Sequence, residues 1–182
     1  MPDVLILTGP PGAGKSTVAR ALAERYDRVA HIDVDTLRHF VTPTGYVTPD
    51  RPGFDWQRAL ATRNASNLAA NFLTERFAVI IDDVVVTPEE LAPYVEGLRP
   101  TGAPVHFVRL LPSLEVCLAR NAARREGRMP PARIEKVWRD FEAAGPFAGA
   151  TIDLTDLTPQ ETADRLQALT TSGTSLVSLS RV

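Results

Sequence analysis

Residues 9 to 16 read Gly-Pro-Pro-Gly-Ala-Gly-Lys-Ser, which satisfies the pattern G-x-x-x-x-G-K-[ST], and the segments on either side restrict the folds that can carry it. Ahead of it lies Val4-Leu5-Ile6-Leu7, an apolar run with the length of a buried strand. Behind it, residues 15 to 25 place Val18, Ala19, Leu22 and Ala23 at helical spacing. A strand that turns through glycines directly into a helix aims several backbone N–H groups, and the positive end of the helix dipole, at one point in space. That point is an anion site, and its spacing predicts a bound nucleoside triphosphate. Gly9, Gly12, Ala13, Gly14, Lys15, Ser16 and Thr17 are the expected nucleotide contacts, with Lys15 on the β- and γ-phosphates and the Ser16 hydroxyl as a ligand of Mg²⁺. ATP and Mg²⁺ are therefore the expected cofactors. A glycine-rich turn that happens to contain Lys-Ser is the competing reading, and the flanking strand and helix count against it.

With 182 residues the chain suits one well-packed α/β domain and is too short for two of ordinary size. The domain is expected over residues 1–169, followed by a Ser- and Thr-rich tail, 170–182, that is expected to fray. A net charge of −2 and a pI near 5.9 provide no overall electrostatic footprint for nucleic acid. Cys117 is the only cysteine, so no intramolecular disulfide can form, and its apolar surroundings suggest a small core residue. No apolar run approaches the roughly 18 residues of a membrane span, and no leader precedes the first strand, so a cytoplasmic protein with no membrane partner is expected. Of the 20 basic residues only Lys15 and Lys136 are lysines, which sets Lys15 apart.

Strand-like and helix-like segments alternate along the chain. Residues 28–33 suggest a second strand, with a helix beginning near Thr36. Residues 41–55 hold three prolines and two glycines and form an irregular excursion that Tyr46 and Phe54 are placed to pin down. Asp55 is expected to cap a helix reaching Arg76, with Trp56, Leu60, Leu68 and Phe72 on its buried side. Phe77 to Val86 is the longest apolar run and has the character of a central parallel strand. A short helix over 89–98, a strand over 105–111, helices over 113–126 and 132–143, a strand over 151–154 and a helix over 159–169 complete the pattern. The expected fold class is α/β: a P-loop NTPase fold, with a five-stranded parallel sheet, helices on both faces and an arginine-rich helical lid. In such a sheet, ligands gather at the carboxyl ends of the strands.

Ala78-Val79-Ile80-Ile81-Asp82 resembles a Walker B strand, which makes Asp82 the metal-side carboxylate. Asp83 turns to the opposite face if the strand stays extended. The aspartate in the next position disfavours a motor ATPase, which usually carries glutamate there, and no guanine-reading Asn/Thr-Lys-x-Asp is present. Past the second strand, Asp35 is the candidate to align an acceptor hydroxyl and accept its proton, since phosphoryl transfer through a loose transition state needs little base strength. Arg38, three residues on, is the candidate to bind the acceptor or the transferring group; a helix cap with a surface arginine is the plainer alternative. His31 is assigned packing within the sheet end. Asn64, Asn67 and Asn71 follow a helical stripe that is more simply a polar surface.

Between residues 113 and 139 seven basic and three acidic side chains give a local charge of +4. Arg120, Arg124 and Arg128 recur every fourth position, so one helix would present them as a stripe. They are the candidate lid contacts to base and phosphates, with Arg124 also a candidate catalytic cation, and Gly127 and Pro130-Pro131 supply the break that a mobile lid over about 120–133 needs.

With these residues in place the chain resembles the small P-loop kinases. GPPGAGKST, the Asp-x-x-Arg after the second strand, and an arginine-bearing lid ending near Met129-Pro130-Pro131 resemble polynucleotide 5′-hydroxyl kinases. The Ile80-Ile81-Asp82-Asp83-Val84 segment, the Trp-containing helix ahead of it and the acceptor-side insertion resemble chloramphenicol phosphotransferase-like proteins. Either resemblance implies Asp35 as the acceptor-activating aspartate and Lys15 as the phosphate lysine; Arg38 leans towards the polynucleotide kinases, and Val84-Val85-Val86-Thr87-Pro88 leans away from them. The expected activity is ATP- and Mg²⁺-dependent transfer of the γ-phosphate to a small hydroxylated acceptor. A polynucleotide end is the alternative, and a nucleotide-gated binding module is the alternative of another class.

Overall fold

The computed structural model describes residues 3–177. Its strands are β1 (Val4–Thr8), β2 (Val29–Asp33), β3 (Ala78–Asp82), β4 (Val105–Leu110) and β5 (Ala150–Ile152). They form one parallel sheet in the order β2-β3-β1-β4-β5. The helices are α1 (Lys15–Ala23), α2 (Val34–His39), α3 (Phe54–Thr74), α4 (Pro88–Leu98), α5 (Leu114–Ala122), α6 (Pro131–Ala144) and α7 (Pro159–Thr171). The P-loop NTPase fold expected from the alternation is the fold observed. β1 shows why: Val4 and Ile6 enter one core cluster with residues of α3 and α4, while Leu5 and Leu7 enter another with α1 and α7. A strand buried on both faces has no reason to alternate polar and apolar residues.

Two boundaries and one helix face differ from the sequence expectation. The third strand stops at Asp82 rather than Val86, because the Thr8 hydroxyl donates to Val85 O (3.1 Å) and accepts from Val85 N (2.8 Å), bending the chain off the sheet. Helix α3 begins at Phe54 behind Gly53, so Asp55 sits in the first turn instead of capping it. Its buried face is Gln57, Ala61, Thr62, Ala65, Ser66 and Ala69, which leaves Trp56 and Leu68 exposed. Small side chains let α3 approach α4 closely; a Cβ on Gly97 would lie 2.9 Å from that of Ser66. The polar-surface reading of Asn64, Asn67 and Asn71 holds, since all three are exposed.

The expected frayed tail is tied down as far as Val177. β5 pairs with β4 only at Val108–Leu110, which leaves the first half of β4 an open edge. Ser175 and Val177 fill it: Phe107 N donates to Ser175 O (2.9 Å) and Val177 N to Val105 O (2.8 Å). Residues 178–182 of the expected tail lie outside the described residues.

Candidate active site

The loop between β1 and α1 is shaped by close backbone approaches. Gly12 (φ +84°) lies where a Cβ would meet Cys117 O at 2.3 Å, and Gly14 (φ +98°) immediately precedes α1. Both need the left-handed region that glycine occupies without strain. Lys15 Nζ donates to Gly9 O (3.0 Å), which folds the ammonium back over the loop. From across the fold, Arg120 Nη1 donates to Ala13 O (2.9 Å) and so fixes α5 to the same loop.

The structure brings Ser16 and Asp82 together. Ser16 Oγ donates to Asp82 Oδ2 at 2.6 Å, although the two are 66 residues apart in sequence. Asp82 is buried, and burial works to raise its pKa. The His31 imidazole, the Lys15 ammonium and the Ser16 hydroxyl outweigh that and hold it below the ordinary carboxylate value. Asp83 points to the other face, where Tyr94 Oη donates to its Oδ2 (2.6 Å). Burial pushes Asp83 up to about 6 against the hydrogen bond from Tyr94 and the charge of Arg58. The two adjacent carboxylates therefore serve different sides of the sheet.

At the end of β2, Asp33 caps α2 by accepting from Asp35 N (3.0 Å) and Thr36 N (3.4 Å). The cap rotates Asp35 into the first turn, with its carboxylate half-exposed and 3.8 Å from Arg38 Nη1. Burial raises the Asp35 pKa, opposed by Lys15 and Arg38 and reinforced by Asp33 and Asp82. Asp35 thus lies in the field of both Lys15 and Asp82.

Arg38 departs from its sequence assignment. It is 5% exposed, its guanidinium is stacked between Tyr46 (3.9 Å) and Phe54 (4.9 Å), and Nε and Nη2 are taken by Gln57 Oε1 (3.3 Å) and Val47 O (2.7 Å). Only Nη1 faces Asp35. Arg38 is therefore the pin of the 41–55 excursion, together with Gln57, which accepts from Val47 N (2.8 Å) and donates to Gly45 O (2.6 Å). Tyr46 and Phe54 do pin that segment, and they do so through a cation.

The arginine stripe is broken, because α5 ends at Ala122. Arg120 and Arg124 line a cleft of about 330 Å³ with Gly12, Gly14, Thr17, Val18, Leu154, Leu157 and Pro159. Arg128 does not line it; its Nε donates to Arg124 O (2.5 Å) on the exposed turn. The base of this turn is closed by buried Asn121, whose amide donates to Met129 O and accepts from Met129 N, each at 3.0 Å.

Several contributors were not found from sequence. Arg58 reaches both Glu90 and Val84 O (3.0 Å), while Glu90 accepts from Val86 N (2.6 Å) and so fixes the turn after Asp83. Arg133, at the start of α6, acts on the Tyr46 hydroxyl together with Asp35, Arg38 and Asp83: burial first, then the charges of Asp35 and Asp83, raise that pKa, while Arg38 and Arg133 oppose the rise. None of these pairings has a local spacing signal, since each joins elements distant in sequence. Asn121 is the exception: an amide eight residues before Met129, ahead of a Gly-Pro break, is the form of a loop closure.

Comparison with known proteins places this geometry among related ones. A family model described as AAA domain matches residues 4–144. No curated protein matches by sequence. Among solved structures, a sugar kinase from Janibacter sp. HTCC2649 superposes with a TM-score of 0.72 at 18% identity, covering 94% of this chain and 95% of that one. The Mycobacterium tuberculosis APS kinase CysC, in complex with AMPPNP and APS, gives a TM-score of 0.68 at 18% identity over 93% of this chain and 98% of that one. A chain of the Pnkp1/Rnl/Hen1 RNA repair complex gives 0.64 at 25% identity over 79% of this chain and 45% of that one.

Proposed function

The chain belongs to the AAA domain family, and from that premise we propose that it is an ATP- and Mg²⁺-dependent phosphotransferase that moves the γ-phosphate to a hydroxyl of a small molecule. The observation that carries this reading is the placement of Asp35. It stands half-exposed at the rim of the phosphate cradle, charge-coupled to Lys15 and Asp82, where a hydroxyl and a γ-phosphate would meet. A nucleotide sensor needs no such carboxylate.

In this reading the loop amides and Lys15 bind the phosphates, with Lys15 exchanging Gly9 O for phosphate oxygens. Leu154, Leu157, Pro159 and Arg124 offer an apolar and cationic cleft for the base. Asp35 accepts the proton of the acceptor hydroxyl as the oxygen–phosphorus bond forms and the bond to the ADP oxygen breaks. Ser16 and Asp82 fit a hard cation, being two oxygens already in contact. Among the described residues no group of three or more His, Cys, Asp or Glu forms a cage, so such a cation shares its coordination with phosphates and water, as Mg²⁺ commonly does. When bound, it neutralises charge on the phosphate oxygens. Tyr46, Asp83 and Arg133 share the acceptor side with Asp35, and their mixed aromatic and charged character suits a compact polar acceptor.

A polynucleotide 5′-hydroxyl is the second reading, favoured by the 25% identity to the RNA repair chain. Among the described residues no helix is long and apolar enough to cross a membrane. Incubation with γ-labelled ATP and Mg²⁺ against hydroxylated antibiotics and metabolites in one panel, and 5′-hydroxyl oligonucleotides in another, separates the readings. Label is expected in the small-molecule panel. Labelled oligonucleotide ends, with transfer falling steeply as salt rises, establish the second reading instead.

A further inference from the structure

Packing alone does not account for His31. It lies in the middle of β2, the edge strand, directly opposite Ile80, and the alternation of the sheet puts its side chain on the same face as Asp82. Its Nε2 is buried without a hydrogen-bond partner among the described residues, although the side chain as a whole is 21% exposed. Asp82 Oδ2 lies 3.6 Å from Nε2. That is the oxygen already accepting from Ser16 at 2.6 Å. A buried imidazole nitrogen on an edge strand, where water is close at hand, would normally find a partner; this one instead faces a carboxylate a fraction of an ångström beyond hydrogen-bond reach.

From this geometry, and resting on the phosphotransferase reading above, we infer that His31 is a positioning residue for the metal: its Nε2–H donates to Asp82 Oδ2 in the nucleotide-loaded protein and locks the carboxylate so that its other oxygen faces the cation and its water shell. Only a nitrogen carrying a proton can do this, so the geometry assigns the Nε2–H tautomer. Ser16 Oγ and His31 then hold Oδ2 from two sides, one from α1 and one from β2. Groups that orient a metal-side carboxylate without touching the metal typically change metal affinity by roughly 10- to 100-fold when removed. Leucine at position 31 removes the donor and keeps an apolar strand residue; glutamine keeps a donor at nearly the same reach.

The test uses the full chain and ADP, titrated calorimetrically with and without Mg²⁺, for the wild type, His31→Leu and His31→Gln. The metal-free ADP affinity is expected to be the same in all three. The Mg²⁺ concentration giving half of the metal-dependent gain is expected to rise roughly tenfold in His31→Leu and to return near the wild-type value in His31→Gln. A second readout needs no variant to fold well: in ¹⁵N-labelled wild-type protein, an imidazole proton on Nε2 is expected to become protected from exchange when Mg²⁺ and ADP are added together. An unchanged Mg²⁺ requirement in His31→Leu, or no protected Nε2 proton in the wild type, overturns the inference. A wild-type protein whose ADP affinity ignores Mg²⁺ overturns the phosphotransferase reading first, and this inference with it.

Discussion

The phosphate cradle and the proposed acceptor wall are built by different means. The cradle is a run of eight consecutive residues whose shape comes from backbone: positive φ at Gly12 and Gly14, and amides at the start of α1. The acceptor wall comes from side chains on α2, α3, the 41–55 excursion, the turn after β3 and α6, held by a stacked arginine and a glutamine. A contiguous backbone site survives side-chain exchange but not the loss of a glycine. A wall assembled from distant side chains can be redrawn by one substitution, so acceptor choice can change while nucleotide chemistry stays fixed.

The sharpest test removes the one group that belongs to both halves. Asp35→Asn keeps the size of the side chain and the Asp33 cap but cannot accept a proton. Phosphate transfer to whichever panel compound takes label is expected to fall about 10²- to 10⁴-fold, with ATP affinity, measured by calorimetry, within a few fold. Because burial raises the Asp35 pKa, the acid limb of kcat/KM is expected above the ordinary aspartate range. The base must be deprotonated, so activity is lost as pH falls through that raised value. Transfer at the wild-type rate in the variant removes Asp35 from the chemistry.

Arg38→Ala probes the wall alone. It removes the cation stacked between Tyr46 and Phe54 and strands Val47 O and Gln57. A loss of about 3 kcal/mol in urea unfolding is expected. Lysine should recover only part of it, because an ammonium cannot span two acceptors and lie flat between two rings. ADP affinity should be unaffected. If ADP binding falls together with stability, the two halves are not separable as described.

Gly14→Ala probes the cradle. An alanine forced to φ +98° is strained, and its Cβ comes within 3.4 Å of Arg120 Nη1. About 1–3 kcal/mol is expected to be lost, read as reduced ADP affinity and a lower Tm. Acceptor-side contacts lie too far away to share the change.

The same contrast explains what was legible in the sequence. The phosphate loop and the parallel sheet are legible because strand length, helical period and motif spacing are local properties, and the same spacing leads to Asp35, Ser16 and Asp82 as candidates. The burial of Arg38 is not legible, since nothing within the Asp-x-x-Arg segment reveals that residues 46, 47, 54 and 57 will enclose it. The buried face of α3 lies one residue on from the one its large apolar side chains predict. Close packing against α4 selected the alanines, Thr62 and Ser66 instead. The arginine stripe assumed an unbroken helix, whereas α5 ends two residues before Arg124.

The smallest expected effect concerns the turn that borders both halves, residues 123–130. Asn121 closes its base through two hydrogen bonds to Met129, and the turn itself is exposed and carries Arg124, Arg125 and Arg128. Asn121→Ala removes both bonds, and the freed Met129 groups can find water. The cost is thus about 1–2 kcal/mol of local opening, with little change in global Tm. Trypsin cuts at these arginines only when the turn opens, so the nicking rate of the free protein is expected to rise roughly 5- to 30-fold in the variant. Nucleotide should act in the opposite sense. Arg120 and Arg124 line the cleft beside the phosphate loop, so ADP at 100 times its Kd, bound only to the closed turn, adds about 2.7 kcal/mol against opening. Nicking should slow in wild type and variant alike. Cleavage that is indifferent to ADP in both would make the turn a static surface feature, and the lid would then have no part in holding the nucleotide.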